Sequence, residues 1–197
     1  SISVDGSLRV SSVDDGSASW SHASSTPLDA IASHDDWIAV GDTTGAIEIW
    51  QVGEEATARR LEGHTGAVSA LAVSADGALL ASAGLDGRVI LWETASGRLV
   101  REVAHLDRGV GSLGLSPDDA RLVGGAEDGT VLVWDVATGH LVTTLSGHAG
   151  NVRAVAFSPS GDRIVSGGAD QTVRIWSSVP PDARAAVEEI ASRTNLR

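Results

Sequence analysis

The sequence predicts an all-β fold in which a unit of four short strands recurs along the chain. Three observations predict it. Trp50, Trp92, Trp134 and Trp176 stand 42 residues apart each time and close matching phrases: TGAIEIW, DGRVILW, DGTVLVW and DQTVRIW. Ahead of each Trp, side chains alternate, as with Val89 and Leu91 on one face and Arg88 and Ile90 on the other, which is the two-residue period of a strand. Turn residues recur in step: Ala75-Asp76-Gly77, Ser116-Pro117-Asp118-Asp119 and Ser158-Pro159-Ser160-Gly161 at one phase, Ala95-Ser96-Gly97 and Ala137-Thr138-Gly139 at another. His22, His64, His105 and His148, spaced by 42, 41 and 43 residues, run beside the tryptophans. Four short strands fit in each period.

Composition bounds the rest. At 197 residues, 42% apolar and 20% charged, the chain is long enough to bury a sizeable core. Its apolar runs, such as VGSLGLS and VRAVAFS, fall far short of the roughly 20 residues of a membrane-spanning helix. No basic segment followed by an apolar one stands at the start, so no secretory signal is visible. Cysteine is absent, which removes disulfides, thiolate catalysis and cysteine-bound zinc, and fits a cytoplasmic setting. With 14 Lys and Arg against 26 Asp and Glu, the net charge of −12 repels a phosphate backbone, so nucleic acid is not an expected partner.

The repeated phrases resemble the WD-repeat proteins, whose pattern is Gly-His, then Ser-Pro-Asp-Gly, then Trp-Asp at a period of roughly 40 to 45 residues. Gly63-His64 leads to Trp92-Glu93, Gly147-His148 leads to Trp176-Ser177, and Trp134-Asp135 is the one literal Trp-Asp. The resemblance covers residues 1 to about 178. It implies a β-propeller of four-stranded antiparallel blades around a central channel, with about four to five blades here out of a ring that usually has about seven. The physical reason stands beside it: sheets apolar on both faces stay dry only between neighbours.

Taken in order, residues 1–21 read as a partial blade. Asp5-Gly6-Ser7-Leu8-Arg9-Val10-Ser11 aligns with Asp86 to Trp92, with Ser11 in the Trp slot, so Ser1 to Val4 read as the end of a second strand with no first strand before it. Blades over 22–62, 64–104 and 106–146 follow, then a last blade over 148–178 without an outer strand, because Pro180-Pro181 cannot donate the needed hydrogen bonds. The expectation is the C-terminal part of a larger propeller, completed by upstream blades on the same or a companion chain. Residues 179–197 read as a short helical tail, from Pro181 and Asp182 at its start and Ala183, Val187 and Ile190 at i, i+4, i+7.

His64, Ser82 and Asp86 are the residue types of a hydrolase triad, and His148, Ser166 and Asp170 repeat them 84 residues later. The resemblance implies a structural role instead: with Trp92 and Trp176 these residues form buried hydrogen-bond chains that fix blade geometry. No oxyanion site accompanies them, so no catalytic residue is assigned. Gly124 replaces the Ser in the blade of His105, Asp128 and Trp134, and Val40 and Thr44 replace Ser and Asp in the blade of His22 and Trp50. Those two blades are expected to be less stiff. His34-Asp35-Asp36 lies in an expected turn and reads as solvated rather than as a metal site, and no metal ligand is assigned. No glycine-rich loop leads into Lys and Ser or Thr, so no cofactor is expected.

Trp20 and Trp37 lie outside the tryptophan register. Trp37 takes the slot of Leu79, Arg121 and Arg163, two of which are water-seeking, and is a candidate partner anchor. On the face where partners often sit in related propellers, Arg108, Glu127, Asn151 and Arg153 are the candidate contacts. The expected function is a non-catalytic protein-interaction propeller that binds a protein or peptide, a sensor or scaffold portion of a larger modular protein. The Ala, Gly, Asp and Arg rich wording resembles bacterial signalling proteins in which a kinase, protease or NTPase module precedes such a propeller. The alternatives are a split or cleaved fragment whose release is the signal, and an enzyme with a site in the channel.

Overall fold

The computed structural model describes residues 6–11, 18–35, 37–52 and 59–177. They form seventeen strands in five antiparallel sheets, with no helix among the described residues. The tail of residues 179–197 lies outside the described residues, as do the first five.

The first sheet pairs β1 (Ser7–Ser11) with β2 (Ala18–Ala23). Three four-stranded sheets follow in sequence order: β3 (Leu28–His34), β4 (Trp37–Asp42), β5 (Ala46–Gln51) and β6 (Arg59–Glu62); β7 (Val68–Val73), β8 (Leu79–Gly84), β9 (Arg88–Glu93) and β10 (Leu99–His105); β11 (Val110–Leu115), β12 (Arg121–Ala126), β13 (Thr130–Asp135) and β14 (Leu141–Ser146). The last sheet has three strands, β15 (Val152–Phe157), β16 (Arg163–Gly168) and β17 (Val173–Ser177). The first strands lie side by side, β3 against β7, β7 against β11 and β11 against β15, so the sheets fan out from a common axis.

The core lies between sheets rather than within one. In the three whole sheets the two middle strands are buried on both faces, whereas β10 and β14 on the rim are mostly exposed. Each gap is filled the same way. Ile47, Ile49 and Leu61 of one sheet meet Val68, Leu80, Ile90 and Trp92 of the next, and Val89 and Leu91 meet Val110, Leu122, Leu132 and Trp134. Leu8 meets Leu28, Ile38, Val40 and Trp50 at one end, and Val131 and Val133 meet Val152, Ile164 and Trp176 at the other. A sheet buried on both faces needs a neighbour on each side, and stacking supplies it.

Every first strand is irregular at the same place. The register shifts between Leu28 and Ala30, Val68 and Ala70, Val110 and Ser112, and Val152 and Ala154, which leaves Asp29, Ser69, Gly111 and Arg153 as the extra residues. Such bulges bend a strand and re-aim one side chain. Here the Ser69 hydroxyl donates to Val110 O of the next sheet at 2.5 Å.

Candidate functional site

Two hydrogen-bond chains, each centred on a buried serine and histidine, run through the sheets. Trp92 Nε1–H donates to Ser82 Oγ at 2.8 Å, Ser82 Oγ lies 2.8 Å from His64 Nε2, and His64 Nδ1 lies 3.0 Å from Asp86 Oδ1. Trp176, Ser166, His148 and Asp170 repeat the chain with distances of 2.8, 2.8 and 3.0 Å. The direction is forced. A carboxylate only accepts, so Nδ1 carries the ring proton, Nε2 accepts from the serine, and the serine accepts from the indole. Every donor then meets an acceptor in one arrangement only.

The carboxylates also hold the loops. Asp86 accepts the amides of Thr65 at 2.8 Å and Arg88 at 3.1 Å, and Asp170 those of Ala149 at 3.0 Å and Thr172 at 3.1 Å. Burial raises the Asp86 carboxyl, but the Thr65 amide, the His64 ring and the Arg88 amide outweigh it and hold the group below its ordinary range. The Ala149 amide, aided by His148 and Thr172, holds Asp170 below its range as well, against an opposing pull from burial. Both serines are closed off from solvent. The arrangement therefore ties a loop, two strands and a turn together and offers no surface for a substrate.

The turn glycines give the true register of the loops. Gly6, Gly45, Gly87 and Gly129 all have positive φ and abut the carbonyls of Ser24, His64, Leu106 and His148. The residues equivalent to His64 are thus Ser24 and Leu106, not His22 and His105. Both histidines of the sequence alignment sit instead on outer strands, His22 opposite Leu8 and His105 opposite Arg88. The His22 ring packs on Trp50 with centroids 4.0 Å apart, and His105 is exposed, 3.6 Å from Glu102. The shift has a simple cause. His64 and His148 precede the first strand by four residues, and His105 by five.

The two sheets without the chain solve the problem differently. In the β3–β6 sheet the acid has moved two residues, to Asp42. It is buried and accepts Thr44 N at 2.8 Å, Thr44 Oγ1 at 2.7 Å, Ala46 N at 2.9 Å and Thr26 Oγ1 at 2.9 Å. Burial pulls the Asp42 carboxyl up, and these donors together bring it below its usual value. This sheet is therefore not short of polar ties. In the β11–β14 sheet Trp134 closes directly on Gly124, where a Cβ would lie 2.8 Å from its ring. There Asp128 takes Arg108 as partner, with Nε 2.8 Å from Oδ2, close enough for an ion pair though out of line for a hydrogen bond.

The candidate partner contacts fall on two faces. Arg108 precedes β11, Glu127 lies in the β12–β13 turn, Asn151 precedes β15, and Arg153 is the bulge residue of β15. Gly109 N donates to Glu127 Oε2 at 3.2 Å and Ala169 N to Asn151 O at 2.8 Å, each within its own sheet, and Gly129 of the β12–β13 turn abuts the carbonyls of His148 and Gly150, so the loops of these two sheets meet on one rim. Glu127, Asn151 and Arg153 are exposed, and Arg108 is half-buried. Trp37 lies at the other ends of the strands, opposite His34 in the β3–β4 hairpin. It is half-buried, packs on the core between the second and third sheets, and faces the His34 ring at 6.0 Å. Trp20 lies 6.0 Å from Trp50.

His34 is not simply solvated. Its Nε2–H donates to Ala75 O of the next sheet at 3.0 Å, and Ala75 N donates in turn to Asp119 Oδ1 of the sheet beyond at 3.0 Å. On the rim, Arg59 donates to Thr94 O at 2.5 Å and Arg101 to Ala137 O at 3.1 Å. Their stems lie over Gly97 and Gly139. The signal for these ties was present in the sequence: Arg59 and Arg101, like Gly97 and Gly139, are 42 residues apart.

Along the axis a groove runs over β3, β7 and β11, lined by Asp29, Ser69, Gly111 and small or apolar neighbours. Asp29 is the one ionisable side chain of that lining, so the groove presents no acid and base in tandem.

Radial sheets, repeated interfaces and hydrogen-bonded Trp-Ser-His-Asp chains define an arc of a β-propeller. The family model for the WD domain, G-beta repeat, matches residues 56–93, 97–135 and 139–177, and the chain belongs to this WD40 family. Each matched unit joins the outer strand of one sheet to the three inner strands of the next, so the sequence repeat staples neighbouring blades. Among solved structures, the chain is similar to the computationally designed Ika8 protein, at 28% identity and a TM-score of 0.79 over 89% of this chain. The match spans 54% of that protein, so this chain corresponds to about half of it. A search of curated proteins finds no match.

Proposed function

We propose that the chain is a non-catalytic protein- or peptide-binding portion of a propeller, a sensor or scaffold part of a larger modular signalling protein in the cytoplasm. WD40 repeats generally mediate protein–protein interaction, and that is the starting point. The observation that carries the reading is the rim between the fourth and fifth sheets. Arg108, Glu127 and Asn151, on loops hydrogen-bonded to the blades, and Arg153, on the β15 bulge, are gathered there. A rigid rim with mixed charge presents a partner with pre-ordered contacts, which lowers the entropic cost of binding. Enzymatic use is disfavoured because both Ser-His-Asp sets are enclosed and the groove lacks paired ionisable groups. The cleaved-fragment alternative has no comparable observation behind it. The end face of the fifth sheet calls for further blades.

The test is capture of partners from native lysate with the parent chain and with Arg108→Glu/Arg153→Glu. Proteins retained by the parent and lost from the variant, with strand content by circular dichroism unchanged, support the assignment. Equal retention would remove these residues from it. Trp37→Ala, on the opposite face, decides in the same experiment whether that surface takes part.

A further inference from the structure

The outer edges of the third and fourth sheets repeat one feature that neither the hydrogen-bond chains nor the loop face uses. Directly opposed residues of an antiparallel pair share a face. Leu99 is opposite Trp92 and Leu141 opposite Trp134, so each turns toward the gap on the side of the preceding sheet. That preceding sheet sends an arginine to the same place. Arg59 lies over Gly97 and donates to Thr94 O, and Arg101 lies over Gly139 and donates to Ala137 O. The outer mouth of each gap is therefore a notch with a guanidinium on one wall and a leucine on the other, Arg59 with Leu99 and, 42 residues on, Arg101 with Leu141. Val100 and Val142, extra residues where the register of β10 and β14 shifts, stand next to the two leucines. All four apolar side chains are exposed, Leu99 by 39%, Val100 by 40%, Leu141 by 53% and Val142 by 44%. Leu99 and Val100 have a described sheet on either side and are nearly as bare as Leu141 and Val142, so the exposure belongs to the repeat.

Charge selects the partner. Among the described residues neither Arg59 nor Arg101 meets a carboxylate, and each directs one N–H at a carbonyl and keeps its other donors open. The acids around them are already matched. Glu93 accepts from Ser96 Oγ and lies 3.8 Å from Arg98, Asp135 accepts Thr138 N at 2.7 Å and Oγ1 at 2.6 Å, and Glu102 accepts Arg88 Nε at 2.9 Å. What this surface leaves unanswered is cationic and apolar, although the chain as a whole carries −12. Charges farther off than roughly 8 Å are screened at physiological ionic strength, so the contact at the notch decides. We propose that these notches bind a protein segment in which an Asp or Glu stands beside a Leu- or Val-like residue. Its carboxylate meets Arg101 and its apolar side chain covers Leu141 and Val142, while Arg59, Leu99 and Val100 take a second such pair. The segment lies across the outer strands and is not added to them. β10 and β14 are edge strands, but the bulges at Val100 and Val142 interrupt the ladder that an added strand needs. Occupying both notches with one segment tightens binding, because the second contact is made within the complex.

The probe is a fluorescein-labelled peptide of about twelve residues, ~40 Å long when extended, that carries two Glu-Leu pairs separated by Gly and Ser. One control peptide has Lys for Glu and the other has Ser for Leu. Fluorescence anisotropy with the 197-residue chain is expected to show binding of the Glu-Leu peptide and of neither control. Leu141→Ser/Val142→Ser is expected to weaken that binding about tenfold and Arg101→Gln about threefold, each with the circular dichroism of the parent. Arg108→Glu/Arg153→Glu is expected to leave it unchanged, which separates this surface from the loop face. Equal binding of the Lys peptide, binding that survives Leu141→Ser/Val142→Ser, or no binding at about 1 mM chain would overturn the proposal. Capture of the chain by phosphatidylglycerol vesicles in place of the peptide would give the surface to a membrane. A dimer seen by light scattering and abolished by the same double variant would give it to a second copy, and either result would overturn the proposal as well.

Discussion

Ser82→Ala probes the hydrogen-bond chain at its least replaceable atom. Ser82 Oγ accepts from Trp92 and donates to His64, both at 2.8 Å, and the residue has no exposed surface. Alanine leaves the indole N–H and the imidazole Nε2 without partners. Each orphaned buried group costs about 1–3 kcal/mol, so the pair would cost about 2–6 kcal/mol if nothing moved. Trp134 shows what movement is open: with Gly124 in the serine slot, its ring sits directly over that backbone. Alanine keeps its Cβ and blocks most of this shift, which sets the expected loss at ~3 kcal/mol. Because repeat arrays open locally, native-state hydrogen exchange is the right assay, read on the amides of β7, β8 and β9. The expected change is exchange on the order of a hundredfold faster, at about 1.4 kcal/mol for each factor of ten. An acceleration below about threefold, in an otherwise native spectrum, would refute the coupling of the serine to the chain.

Four further outcomes follow from the same geometry. The folded carboxyls of Asp86 and Asp170 lie below their ordinary range, so their contribution is complete above the unfolded value of about 4 and is lost as pH falls through the folded one; the urea midpoint should stay level down to about pH 5, fall below about pH 4, and fall less steeply in Asp86→Asn, whereas a midpoint that rises on acidification would reverse the sign. Gly124→Ser should lower stability by ~1–3 kcal/mol rather than restore a chain, because its Cβ meets Trp134 at 2.8 Å and Leu106 offers no nitrogen to accept the hydroxyl; equilibrium urea unfolding measures it. Arg101→Ala should cost ~1 kcal/mol and speed exchange in the β13–β14 turn it binds through Ala137 O. Arg98→Ala, whose surface ion pair with Glu93 spans 3.8 Å, should change stability by less than ~0.5 kcal/mol.

Much of the chain-forming chemistry was legible because it is local and periodic. The Trp phrases, the turn triplets and the alternating apolar residues placed the strands, and the spacing of His64, Ser82, Asp86 and Trp92 placed the hydrogen-bond chain. What misled was spacing without a fixed reference. His22 and His105 kept nearly the right interval, yet one residue more before β11 moved the equivalent slot to Leu106, and the loop before β3 moved it to Ser24. Asp42 went unnoticed for a related reason. An aspartate two positions early looks like a missing one until its four donors are seen to converge on it.

By itself the sequence determined the strands, the period, the WD-repeat character and the two Trp-Ser-His-Asp sets, because each depends on side chains a fixed number of residues apart. Only the tertiary structure decided which face of each strand meets which neighbour, that Arg59, Arg101, His34 and Asp119 tie one sheet to the next, and that Val173 and Ile175 of the last described sheet stand exposed. The physical reason is that burial is a property of pairs of sheets. Val89 and Val173 occupy the same place in the same phrase, and what separates 0% from 73% exposure is the presence of another sheet against it.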